Sequence, residues 1–140
     1  MLLDGDNEVV KLCAEGIMLE GERDKAKQLY ERAWQAANND AEFMIAAHYM
    51  ARVQNDEFET LRWNLLSLHH AEAVPDDEVK SYLPSLYLNI AKSYEDLHNK
   101  EESIINYRLA QQYVRFLKDD GYGQLISKGI KAGIERVTAG

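Results

Sequence analysis

The sequence predicts an all-α fold, and three observations lead there. Apolar residues recur at gaps of three and four nearly from end to end of the 140 residues, the spacing that gathers them on one face of a helix. No stretch alternates apolar and polar residues as a half-buried strand does. Short turns carrying Asn, Asp and Gly separate the apolar runs, and with only 2 prolines and 8 glycines nothing reads as a linker or low-complexity tract.

About seven helices follow in order. Val9, Val10, Cys13 and Ile17 mark the first, which Gly21 stops. The second runs from about Arg23 to Ala37, where NND at 38–40 punctuates. Phe43, Ala46, Ala47, Met50 and Val53 mark the third. QNDE at 54–57 offers Asn55 or Asp56 as a cap, since a short polar side chain accepts hydrogen bonds from the unpaired N–H groups of a first turn. Leu61, Leu65 and Leu68 carry the fourth helix, which ends before Val74-Pro75. Asp76-Asp77 are placed to cap the fifth, with Pro84, Tyr87, Ile90, Ala91, Tyr94 and Leu97. After HNKEE, the sixth holds Ile104, Tyr107, Ala110, Val114 and Leu117. DDGYG at 119–123 breaks the pattern, and Leu125, Ile126, Ile130, Ile134 and Val137 make a last amphipathic helix.

The bulk numbers exclude several function classes. At 46% hydrophobic and 29% charged residues the chain reads as one globular domain. Its net charge of −8 opposes binding to nucleic acid or anionic lipid, because affinity for phosphate backbones comes from Lys and Arg. No apolar run approaches the roughly 20 residues needed to cross a bilayer, and MLLDGDNEVV lacks the basic flank and long apolar stretch of a signal peptide. The lone cysteine, Cys13, cannot form an internal disulfide, so a cytoplasmic location is expected.

An internal repeat organises the helices. GERDKAKQLYERA at 21–33 matches HNKEESIINYRLA at 98–110, with Ala26 against Ser103, Tyr30 against Tyr107 and Ala33 against Ala110. Upstream, Ala14 and Ile17 are set against Ala91 and Tyr94. NDEFETLRWNLLS at 55–67 matches loosely, with Thr60 and Ser67 in the small positions and Asn64 in place of the ring. Close packing of two helices needs a small side chain as a hole and a large one to fill it; Ala26 and Ala33 read as holes and Tyr30 as filler.

This pattern resembles the tetratricopeptide repeat family, whose unit is a helical hairpin of about 34 residues. The resemblance implies one domain over residues 1–140, a right-handed α-solenoid with hairpins at about 7–37, 40–73 and 77–118 and a capping helix at about 123–137. The stretches HYMARVQNDEFETLRWNLLSL and SLYLNIAKSYEDL look similar to short stand-alone bacterial proteins of that family. Successive turns at Gly21, Asn55 and His98 make the second interval nine residues longer, and the excess falls around AEAVPDDEV, within 74–83, where a loop or a helix end projects.

Motifs of catalysis are missing: the chain has no GxGxxG, GxxxxGK[ST], GxSxG or HExxH, and one cysteine cannot build a CxxC zinc site. No enzyme activity, cofactor or metal is expected. His69 and His70 with Glu72 form the densest set of metal-ligand types, but adjacent helical residues point about 100° apart and do not face one ion easily. His48 and Asn64 form a polar pair on facing helices, either bonded to each other in the core or sharing a bound group. Trp34 and Trp63 read as packing between repeats, and Cys13 as a small buried hydrophobe.

The family resemblance further implies a concave groove that binds a protein or peptide. Its lining falls on Lys11, Glu15 and Met18, on Met44, His48 and Arg52, and on Leu88, Asn89, Lys92 and Glu95. Some family members hold chaperone C-termini in a clamp of lysines and asparagines. Here Lys11 fits that clamp, while Glu15 stands for an asparagine and Ser85 for a lysine, so a carboxylate is disfavoured. The expected function is a non-catalytic protein-binding module. Alternatives are a self-associating scaffold using Leu125, Ile126, Ile130 and Ile134, and a small-molecule sensor around His48 and Asn64. An enzyme using His48 or His69-His70 is the reading from a different class.

Overall fold

Among the described residues, short polar side chains start five of the seven helices. Asn7 accepts hydrogen bonds from the amides of Val9 and Val10 and begins α1 (Glu8–Met18); Asn39 accepts from Glu42 and begins α3 (Asp40–Met50). Asp56 caps α4 (Glu57–Glu72), Asn99 caps α6 (Lys100–Gln112) and Asp120 caps α7 (Gly121–Thr138). Helices α2 (Arg23–Ala36) and α5 (Leu83–Asp96) start without a side-chain cap. The computed structural model describes residues 2–139, and within them all regular structure is helical, with no strand.

Three expected boundaries move. The third and sixth helices end at Met50 and Gln112, and their apolar pattern continues through 3₁₀ turns at Ala51–Val53 and Val114–Phe116. A 3₁₀ turn also places residues i and i+3 on one side, so periodicity cannot mark where the α-helix stops. Asp76-Asp77 do not cap α5. Residues Asp77–Ser81 form a 3₁₀ turn, and α5 begins at Leu83 with Pro84 in its first turn, where a missing N–H costs nothing. The long interval at 74–83 is therefore a turn, not a helix extension.

The chain divides into two compact units, one up to Asp76 and one from Asp77. In the first, α1 pairs with α2 and α3 with α4, and α3 also packs on α1 and α2. Its core holds Val9, Leu12, Cys13, Ala26, Tyr30, Ala33, Ala46, Met50 and Val53. In the second, α5 and α6 form a hairpin and α7 lies against both, around Ala91, Tyr107 and Val137.

Tyr30 is fully buried, as the hole-and-filler reading requires, and so are Ala26 and Ala33. The hole on α1 is another residue than expected: Ala14 is exposed, whereas a Cβ on buried Gly16 would collide with the Tyr30 ring. In the second unit Tyr107 sits beside Ala91 and presses on Gly133 of α7 in the same way. Gly16, not Ala14, is thus the counterpart of Ala91.

Candidate functional site

Each unit contains a clasp of tyrosine, glutamate and arginine. Tyr30 on α2 donates its hydroxyl to Glu20 at 2.6 Å, and Arg52, just beyond α3, grips the same carboxylate through Nε and Nη2, both at 2.8 Å. Tyr107 on α6 donates to Glu95 at 2.6 Å, and Arg136 on α7 reaches Glu95 through Nε at 2.9 Å and Nη2 at 3.2 Å. A bidentate guanidinium fixes orientation as well as charge. Arg52 holds Glu20 below the usual carboxylate range, and Arg136 does so for Glu95. Burial, reinforced by the neighbouring carboxylate, pushes both tyrosine hydroxyls up. The separation from glutamate to tyrosine is 10 residues in the first clasp and 12 in the second. The register by Ala14 assumes equal separations, and it fails by those two residues.

The groove positions fare unevenly. On α1, Lys11 and Glu15 are exposed and Met18 is 83% exposed, beside Ile17 at 42%. Met44 does not line an accessible surface: it is fully buried, because α3 is enclosed by α1, α2 and α4, and its carbonyl accepts the Ser67 hydroxyl at 2.7 Å. Arg52 remains exposed but is committed to Glu20. The imidazole of His48 contacts the ring of Tyr49 edge-on, and burial together with the nearby Arg52 charge pushes its pKa down to about 4. Asn64 is buried at the position that the internal repeat sets against Tyr30 and Tyr107, and neither it nor His48 is without a partner.

In the second unit α7 covers part of the expected lining. Leu88 lies against Gly129, and Glu95 is closed in the clasp, so these two positions face α7 rather than an open groove. Lys92 pairs with Asp96 at 2.6 Å, Asn89 is half-buried, and Ser85 meets the hydroxyl of Tyr122.

The remaining candidates are engaged structurally. His70 meets Asp40 through Nδ1 at 2.8 Å and stacks on Phe43, while His69 is exposed. Trp34 packs edge-on against both Phe43 and Trp63. Cys13 is buried, and desolvation pushes its thiol up to about 12, far from a reactive thiolate. Among the described residues no group of three His, Cys, Asp or Glu side chains is placed to hold an ion, and no helix is long and apolar enough to cross a membrane.

Sequence reasoning missed Glu20, Arg136, Gly16 and Gly133, and it placed Glu95 and Arg52 in a groove where the structure closes them in clasps. The signal for the clasps was a glutamate 10 or 12 residues before each tyrosine, a spacing that an alignment with equal offsets hides. No family model, curated protein or solved structure matches the chain.

Proposed function

We propose that the chain is a tetratricopeptide-like, non-catalytic module that binds a protein or peptide segment along α1. The observation that carries this is the exposure of Met18, 83% accessible, on the α1 face that also presents Lys11 and Glu15. Long apolar side chains left in water beside charges of both signs suit a partner with an apolar anchor and mixed charges. The right-handed superhelix of the family belongs to the same proposal, as does a cytoplasmic location.

The titratable groups support a non-catalytic role. Glu20 and Glu95 are neutralised by arginines, His48 is held neutral by desolvation, and Cys13 is held as a thiol. None is left poised to take or give a proton near pH 7. Of the α7 stripe, Ile130 is buried and Ile134 half-buried against α5 and α6, which leaves mainly Leu125 for self-association.

Photo-cross-linking from an unnatural residue at position 18 tests the proposal in cell extract, with position 111 on α6 as the exposed control. A partner is expected to attach at 18 alone and to be lost when Lys11→Glu and Glu15→Lys are combined in a chain of unchanged helicity. Equal labelling at both positions would refute the α1 surface.

A further inference from the structure

The net charge of the chain is unevenly placed. Up to Asp76 there are fifteen acidic and seven basic side chains; from Asp77 on there are nine of each. Within the second, neutral unit, three lysines gather at one cleft of about 400 Å³. Val114 and Leu117 supply apolar wall, Lys118 and Asp119 follow from the same turn, and Gly123, Gln124, Ser127, Lys128 and Lys131 close it from α7. On α7 the positions 124, 127, 128 and 131 share one face at helical spacing.

None of Lys118, Lys128 and Lys131 has an ion-pair partner among the described residues, whereas Lys80 and Lys92 of the same unit pair with Asp77 and Asp96. Lys128 and Lys131 stand one turn apart on α7, a like-charge arrangement that disfavours the helix unless a counter-charge is present. Asp119 is the one acidic group in the lining, and its Oδ1 is approached by the Gln124 amide at 3.5 Å. Two positive charges are therefore uncompensated. The Ser127 hydroxyl makes no hydrogen bond to the described residues and is free to donate. Gly123 holds the walls together, since any Cβ there would run into the Lys118 carbonyl.

We infer that this cleft binds a small organic anion carrying two negative charges next to an apolar or planar body. The volume lies within the range of about 300–1,000 Å³ typical of small-molecule sites. Lysine ammonium groups are strongly hydrated point charges that bind phosphate and carboxylate without demanding one geometry. Val114 and Leu117 give the body of the ligand a place that inorganic phosphate would leave empty.

Calorimetric titration of the full chain with AMP, succinate, inorganic phosphate and a hexaglutamate peptide tests this. AMP or succinate is expected to bind more tightly than inorganic phosphate, AMP if a phosphate monoester is the ligand chemistry and succinate if a dicarboxylate is. The double variant Lys128→Gln, Lys131→Gln is expected to weaken that binding by about tenfold or more, and Arg32→Gln, exposed on α2 in the first unit, to leave it unchanged. Lys118→Gln, outside any helix, serves as a second variant should α7 lose helicity. Equal dissociation constants in wild type and variants, no preference over inorganic phosphate, or tighter binding of hexaglutamate than of either small anion would each overturn the inference.

Discussion

At the scale of single residues, glycine and tyrosine set the helix spacing. Because a methyl group on Gly16 would enter the Tyr30 ring, Gly16→Ala is expected to lower the unfolding free energy in urea by about 1–2 kcal/mol. Overpacking of that kind outweighs the gain of up to about 1 kcal/mol in helix propensity. An equal or higher midpoint would show that the contact yields freely. Tyr30, Tyr107, Ala26 and Ala33 were legible in the sequence, because rings and small residues recur at helical offsets. Gly16 was not, because its match to Ala91 appears only once the unequal separations from glutamate to tyrosine are known. His48 makes a second prediction. Its pKa is about 4 when folded against an ordinary 6.5, so between those values the unfolded chain binds the extra proton. Stability from this group is fully present above pH 6.5 and falls as pH drops toward 4. Chemical denaturation from pH 7 to 4.5 should show that decline, and His48→Gln should flatten it.

Helices and their ends form the next scale. The five side-chain caps explain why most helix starts could be read from Asn and Asp alone, while α5 could not: its start is set by where Pro84 fits. The end of α5 carries a further constraint. His98 has φ of 61°, and the amide of Asn99 returns to the Tyr94 carbonyl at 2.9 Å, the closing bond of a left-handed helix stop. Glycine takes that backbone conformation without a Cβ penalty, so His98→Gly is expected to stabilise by about 1 kcal/mol. Thermal denaturation reads this directly, and a loss of stability would mean the His98 side chain contributes more than its backbone costs.

For the whole molecule, apolar spacing foretold the helical class but not the partition into two compact units, since the boundary at Asp76 is marked by the single Pro75 and not by a Pro- or Gly-rich stretch. The groove was only half legible. Lys11, Glu15 and Met18 are accessible, whereas Met44, Leu88 and Glu95 are taken up by packing that depends on where α3 and α7 rest. Since α7 spends Ile130 and Val137 inward, sedimentation equilibrium should show a single chain. A dimer that dissociates in Leu125→Asp would return the self-associating scaffold to first place.

The paired clasps bear on how such a chain tolerates length changes. Glutamate and arginine lie 32 residues apart in one clasp and 41 in the other, yet meet with the same bidentate geometry. What recurs is a junction rather than a ruler. Residues inserted into the stretches between clasp members leave the junction intact wherever they loop out, because closing a somewhat longer loop costs little. Divergence in this chain is thus free to accumulate as insertions, while three side chains tie together the three consecutive helices that meet at each clasp.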